Sequence, residues 1–204
     1  MTKIPSAVVA RLSQMYRILD NLEGKRFISS NEISSVSGFT AAQIRRDLTY
    51  FGQFGTTGKG YNISLLKEEI LKILGLDQNW RVALIGVGNL GRALLKYKGF
   101  RDKGFTISAA FENDRRKVGK TINGTMIFSI NMLKSITKKN YIEMAILTVP
   151  EEAAQRVANL LNGSAVKAVL NFTPSKVNCG KSILVHNIDM TVEMEKLSFF
   201  AKKK

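Results

Sequence analysis

Residues 82–114, VALIGVGNLGRALLKYKGFRDKGFTISAAFEND, constrain this chain more than any other stretch. Residues 82–85 form a short apolar run containing β-branched residues, as expected of a parallel strand buried on both faces. The run passes directly into Gly86-Val87-Gly88-Asn89-Leu90-Gly91. The first glycine permits a tight turn, the second lets a pyrophosphate approach the backbone, and the third lets helix and strand pack closely. A helix over 89–97 then aims its unpaired amides and the positive end of its dipole at the phosphates. A second apolar strand, 106–111, ends at Glu112, 21 residues beyond Gly91, where a carboxylate accepts hydrogen bonds from an adenosine ribose. A bare Gly-x-Gly-x-x-Gly is weak evidence and also serves as a structural turn. Here strand, glycines, helix, second strand and acid follow in order, so the expectation is dinucleotide binding on a doubly wound parallel sheet.

Glu112 is expected to repel a ribose 2′-phosphate and so to favour NAD(H) over NADP(H), with Asn113 and Asp114 beside it. Arg115 and Arg116 keep NADP(H) open. Further apolar runs extend the sheet: 126–128 before a helix capped by Ser129, then 144–149, 166–170 and 182–185. Pro150-Glu151-Glu152-Ala153 opens a helix, with proline in its first turn and acids complementing the dipole. Ligands of doubly wound folds sit at the carboxyl ends of strands. Thr148, Val149, Pro150, Asn171 and Phe172 are therefore expected to line the nicotinamide half of the pocket.

Upstream, the pattern turns helical. Pro5 suits a first helical turn, and Val8, Leu12, Met15, Leu19 and Leu22 form one apolar stripe closed by Gly24. Ser29 and Glu32 are spaced as a capping box for a second helix, with Ile33 and Val36 as its buried face and Gly38 as its stop. Thr40 and Gln43 form another box, opening a third helix over 41–51. Ile44, Leu48 and Phe51 share its inner face; Ala42, Arg46, Thr49 and Tyr50 lie opposite, flanked by Gln43 and Arg45. A short helix, a glycine turn and an arginine-bearing helix make a helix-turn-helix pattern whose outer face can meet bases or phosphates. The same pattern fits an ordinary three-helix module facing water. Residues 52–61 hold four glycines and read as a β-hairpin anchored by Phe54 and Tyr61, the wing of a winged helix, with Lys59 at its tip. The competing reading is a flexible glycine linker. Asn62 or Ser64 then caps a helix carrying Leu66, Ile70, Ile73 and Leu74, closed by Gly75.

The expected organisation is a winged helix-turn-helix domain over 1–78, a Rossmann-type domain over 79–187 and a C-terminal helix over 188–204. That helix carries two apolar stripes: Met190, Met194, Leu197 and Ala201 on one side, Ile188, Val192 and Phe199 on the other. A helix apolar on two sides must be covered on two sides, which argues for a domain-swapped dimer over burial within its own subunit.

Charge adds a partial argument. The net +15 suits a polyanionic partner, but residues 1–80 hold ten basic and seven acidic side chains, while 81–204 carry a net +12. Much of the excess thus reads as solvated lysine surface. Cys179 is the only cysteine, which excludes an internal disulfide or a thiolate metal cluster and fits a reducing cytoplasm. No apolar run approaches the roughly 20 residues of a membrane span, and no signal peptide is read ahead of Pro5, so no membrane association is expected.

An oxidoreductase also needs an acid or base beside the reacting carbon. His186 is the only histidine and reads as structural, and no Tyr-x-x-x-Lys pair follows the fingerprint. A cofactor site without a reaction site suggests a sensor, with neither catalytic nor metal-binding residues assigned. The alternative is a small NAD-dependent oxidoreductase with an accessory N-terminal domain.

Taken together, the chain resembles the Rex family of redox-sensing transcriptional repressors over essentially its whole length. The resemblance is carried by Gln43-Ile-Arg-Arg-Asp-Leu48, Gly58-Lys-Gly-Tyr61, Gly86-Val-Gly-Asn-Leu-Gly91, Asn171-Phe-Thr-Pro174 and the run from Asp189 to Phe199. It departs in having Glu112 where the family usually has aspartate, and in lacking a proline often seen beside it. The resemblance implies a homodimer that binds palindromic double-stranded operator DNA when NADH is scarce and releases it on binding NADH. It implies that NAD+ competes with NADH or favours the DNA-bound form. Gln43, Arg45, Arg46, Thr49, Tyr50, Lys59 and Tyr61 are then the expected DNA contacts. It further implies a subunit switch of Tyr97, Asp189 and an arginine of the first helix, taken as Arg17 with Arg11 also available.

Overall fold

The computed structural model describes residues 4–22, 24–56 and 58–202. The chain divides into two compact units, Met1–Gln78 and Asn79–Lys204.

In the first unit, helix α1 spans Ser6–Asp20 with Pro5 at its N-cap. Val8, Leu12, Met15 and Leu19 are all at most 3% exposed, as their spacing requires. Leu22 packs against the same core from beyond the helix end. The strand β1, Phe27–Ile28, precedes α2, Ser30–Ser37, which opens on the expected capping box: Glu32 N–H donates to Ser29 Oγ at 3.2 Å, and Ser29 N–H to Glu32 Oε2 at 2.8 Å. Gly38 ends α2 at φ +73°. The expected burial of Val36 is wrong. Ile33 is fully enclosed but Val36 is 64% exposed, while Phe39, beyond the glycine, packs against the core.

Helix α3, Ala41–Thr49, opens on the second box, with Thr40 N–H donating to Gln43 Oε1 at 2.9 Å. The hairpin reading holds in a shorter form. Strand β2, Gly55–Thr56, pairs antiparallel with β3, Gly60–Asn62, and β1 adds to the other edge of β3. Gly60, at φ +78°, is required there: a Cβ would lie 2.5 Å from the Ile28 carbonyl oxygen. Helix α4, Ile63–Ile73, follows; Asn62 is its cap, accepting from Leu65 N–H at 3.2 Å.

The second unit is a seven-stranded sheet of order β10-β9-β8-β4-β5-β7-β6. Its strands are β4 (Trp80–Ile85), β5 (Phe105–Glu112), β6 (Thr121–Ile122), β7 (Thr125–Ser129), β8 (Met144–Leu147), β9 (Ala168–Asn171) and β10 (Leu184–Asn187). Every pairing is parallel except the edge pair β6–β7. Helices α5 (Asn89–Lys96), α6 (Leu133–Lys139) and α7 (Glu151–Leu161) connect β4 to β5, β7 to β8 and β8 to β9. The sheet is buried on both faces by two clusters, one around Ile85, Phe111 and Leu147, the other around Leu84, Ala110 and Ile146. This explains why its strands read as continuous apolar runs.

Two local expectations fail. Ser129 makes no capping bond and leads into a 3₁₀ turn, Ile130–Met132, ahead of α6. The last strand starts two residues later than expected, in register with β9 through Leu184↔Ala168, so His186 lies within it. Helix α8, Met190–Ala201, closes the described chain. No helix among the described residues is long and apolar enough to cross a membrane.

Candidate dinucleotide cleft and nucleic-acid face

Strand order fixes where a ligand can sit on the second unit. From β4 the sheet builds outward through β5 and β7, then resumes with β8 on the other flank of β4. A doubly wound sheet opens a crevice beyond the carboxyl ends of the strands at such a reversal. The two ends here are Ile85 and Leu147, partners in register. The fingerprint follows one and Thr148 the other.

Each glycine does a different job. Gly86 has φ +97°, and a Cβ there would lie 2.7 Å from the Thr148 carbonyl oxygen; at Gly91 it would lie 2.1 Å from the Gly86 carbonyl oxygen. At Gly88 it would meet nothing within 4 Å. This open position is the N-cap of α5, where no side chain occupies the helix amides. Unpaired amides above an open backbone are what a pyrophosphate requires, so the residues present fit a dinucleotide. The Thr148 hydroxyl clamps the crossing, donating to Gly86 O at 2.8 Å and Ile85 O at 3.1 Å.

Glu112 ends β5 beside this loop. Its Oε2 accepts from Val87 N–H at 3.0 Å and from Lys117 Nζ at 3.1 Å, while Oε1 accepts from the Asn113 and Asp114 amides at 2.7 and 3.2 Å. Burial alone would raise this carboxyl. The amides of Asp114, Asn113 and Val87, together with the Lys117 ammonium, outweigh it and hold Glu112 below the ordinary glutamate range. The site therefore presents an ionised acceptor. Asp114 is gripped by Arg116 through two 3.0 Å bonds and lowered to about 2. Asn89, Leu90, Asn113 and Pro150 are exposed at the same end of the sheet, and Val149 and Phe172 are half-buried. Asn171 departs from expectation. It is fully buried, with Nδ2 donating to Ser175 O and Asn187 Oδ1 at 2.9 Å and Oδ1 accepting from the Thr173 amide and hydroxyl. Its side chain ties the loop after β9 to β10 and is not a pocket wall.

In the first unit, the outer face of α3 presents Ala42, Gln43, Arg45, Arg46, Thr49 and Tyr50, all exposed. Some are already engaged: the Gln43 oxygen caps the helix, and Arg45 Nη1 donates to Ser30 Oγ at 2.8 Å. Lys59 is exposed in the hairpin turn. Tyr61, expected to face DNA, instead packs in the core at 9% exposure, because alternation along β3 turns its ring inward beneath Gly55, and burial pushes its phenol up.

Two residues were missed. Asp47 is 1% exposed and receives a bidentate pair from Arg11, Nε to Oδ2 at 2.5 Å and Nη2 to Oδ1 at 2.8 Å, locking α3 to α1. The signal was legible: Ile44, Asp47, Leu48 and Phe51 fall at i, i+3, i+4 and i+7, and an acid in an apolar stripe needs a buried partner. Lys117, bonded to both Glu112 and the Val87 carbonyl, lies in a turn with no periodicity to mark it.

The sequence matches the family described as CoA binding domain over residues 77–175, and that described as putative DNA-binding protein N-terminus over 3–49. A redox-sensing transcriptional repressor Rex from Desulfitobacterium hafniense is 44% identical over 199 residues, 97% of this chain and 95% of its own. The chain belongs to the Rex family. Among solved structures, the Rex-family repressor RSP in complex with beta-NAD+ and operator DNA superposes with a TM-score of 0.94 at 33% identity, covering 100% of this chain and 94% of that one. RSP in complex with beta-NADH gives 0.87 at 31% identity, covering 100% and 96%.

The residues that Rex resemblance assigns to a subunit switch are found as follows. Arg17 is exposed on α1, whereas Arg11 is committed to Asp47. Tyr97 is 61% exposed at the end of α5, edge-on to Phe100. Asp189 caps α8, accepting from Thr191 and Val192 N–H at 2.9 and 3.2 Å. No hydrogen bond joins Tyr97 to Asp189 among the described residues. Along α8, Met190, Met194, Leu197, Phe199 and Phe200 are each 56–67% exposed, and no residue of the helix is buried.

Proposed function

We infer that this chain works as a homodimeric transcriptional repressor that reports the NADH/NAD+ ratio by holding or releasing operator DNA. The observation that carries the reading is one chain holding both an open dinucleotide cradle at Gly88 and an exposed, arginine-bearing α3, at 44% identity to a redox-sensing repressor across 97% of its length. A relative with beta-NAD+ and operator DNA bound, and with beta-NADH bound, supports both ligands.

The dinucleotide is held by 86–91 and Glu112, with 113, 114, 148–150 and 172 around it. The bound ligand supplies no reaction here, only a difference in affinity between two dimer states. Such a difference is necessary, since equal affinity shifts nothing. DNA is read by Arg46, Thr49, Tyr50 and Gln43, with Arg45 and Lys59 on phosphates. Two such faces in a dimer must match half-sites about 34–36 Å apart, or a multiple, and rotating the subunits spoils that match. Arg17, Tyr97 and Asp189 form the switch; the bond of Arg11 to Asp47 supports Arg17 as its arginine. Helix α8 inserts into the partner, which covers its exposed apolar faces. The chain is a regulator and not an enzyme, acting in the cytoplasm. The Thr148 hydroxyl proton is taken up by backbone carbonyls and Asn171 is enclosed, which weighs against an oxidoreductase using them as proton donors.

Arg46→Ala tests the division of labour. It should weaken operator binding by about tenfold or more, in keeping with roughly 1–3 kcal/mol per specific contact, and leave NADH affinity unchanged. Equal loss of both would overturn the assignment of α3.

A further inference from the structure

Outside the cleft, the second unit holds a cavity of about 330 Å³ lined by Arg92, Lys96, Lys117, Lys120, Thr121, Ile122 and Ile127. Four of these seven residues are cations and none is an acid. Arg92 and Lys96 project from one side of α5 at i, i+4, where like charges repel. Lys117 and Lys120 come from the turn after β5, and Ile127, at 2% exposure, gives the cavity an apolar wall. Only Lys117 is neutralised, by Glu112 at 3.1 Å; among the described residues Arg92, Lys96 and Lys120 are in no ion pair. A concave surface lined by one sign of charge focuses its field and draws in counter-ions. Its volume falls at the lower end of small-ligand clefts, about 300–1,000 Å³.

We propose that this cavity is a second anion site, taking a small oligophosphate such as the polyphosphate end of a nucleotide. None of its lining residues belongs to the glycine loop or to the ends of β4, β5 and β8. The two sites meet only through Lys117, whose Nζ reaches Glu112 and the Val87 carbonyl. Several adjacent phosphates suit the site better than a single one, because three cations that are in no ion pair line it. A recess walled by isoleucine also suits a small ligand better than a duplex backbone, which offers a convex line of charge. Through Lys117 the anion is coupled to the dinucleotide, and that coupling is reciprocal: each ligand changes the affinity of the other by the same factor.

The test is calorimetric titration of the full-length dimer with inorganic tripolyphosphate and, separately, with ATP, in magnesium-free buffer at physiological salt. Each titration is repeated with NADH saturating the cleft. The expected result is saturable binding of one anion per subunit that persists when NADH is present. Lys96→Gln/Lys120→Gln should weaken it at least tenfold while leaving NADH affinity, measured on the same sample, within about twofold. Lys138→Gln/Lys139→Gln, which removes the same charge from α6, should leave anion affinity unchanged. Tighter binding of ATP than of tripolyphosphate would show that the base contributes, and equal binding would show that phosphate alone is read; both support the site. Absence of saturable binding, equal weakening by the α6 pair, or displacement by NADH without any effect of the Lys96/Lys120 pair would overturn it. So would loss of operator affinity in the Lys96/Lys120 variant with anion binding intact, since the patch would then serve DNA.

Discussion

Gly88→Ala and Gly91→Ala separate what the fold needs from what the ligand needs. At Gly88 the backbone is extended, φ −80° and ψ −162°, and a Cβ would meet no protein atom within 4 Å. Replacing an N-cap glycine by alanine costs about 0.5–1.5 kcal/mol, and the less flexible unfolded chain returns about 0.4–1 kcal/mol. Net stability should change by less than about 1 kcal/mol. The new methyl instead occupies the space beside the α5 amides. Crowding a packed contact costs about 1–3 kcal/mol, and each weakened hydrogen bond to charge adds about 1.5–3. An overall loss of roughly 2–4 kcal/mol corresponds to about 30- to 1,000-fold weaker NADH binding. At Gly91 the order reverses: 2.1 Å from the Gly86 oxygen, a Cβ has to displace backbone. That should cost more than about 3 kcal/mol and lower the melting temperature of the second unit by about 10 °C or more. Thermal unfolding by circular dichroism and NADH titration by fluorescence read the two effects. A folded Gly88→Ala protein with wild-type NADH affinity would refute the placement of the pyrophosphate, and a Gly91→Ala protein as stable as the parent would refute the packing argument.

The Arg11–Asp47 pair predicts an asymmetry. Arg11→Ala strands a carboxylate that is only 2% exposed and should cost about 3–5 kcal/mol, whereas Asp47→Ala leaves an arginine already 21% exposed that can turn to water, costing less; denaturant unfolding in which the two match would contradict this. Leu197→Asp on α8 should convert the dimer to a folded monomer by light scattering, since Leu197 is 62% exposed in its own chain; an intact dimer would exclude that face from the interface. Glu112 has a depressed folded-state pKa, so its contribution to stability is present above the unfolded glutamate value, about 4.3, and is lost as pH falls through the lower folded value. Glu112→Gln should flatten that acid limb of the stability curve, and an unaltered limb would show that Glu112 does not shape it.

What could be read from the sequence divides along physical lines. The fingerprint, α1, both capping boxes and the buried strands were legible because each writes its own period or its own cap within a few residues. The two-residue strand β1 was not, since a pair of residues carries no alternation and exists only because β3 offers it an edge. Burial of Tyr61 depended on the glycine above its ring, and exposure of Val36 on how α2 seats against the core. Asn171 read as a pocket residue because it ends a strand at the ligand side, yet four hydrogen bonds enclose it; only the loop returning through Ser175 and Asn187 reveals that. Arg11 and Asp47 stand 36 residues apart, so their pairing could be read only once α1 and α3 were packed together.

Operator binding by fluorescence anisotropy, followed as NADH and then NAD+ are titrated into the same dimer, tests the central claim most directly. The account predicts that saturating NADH weakens operator affinity by at least tenfold, about 1.4 kcal/mol of coupling, while NAD+ leaves it intact or raises it. Operator affinity that stays constant while fluorescence shows the dinucleotide bound would contradict it.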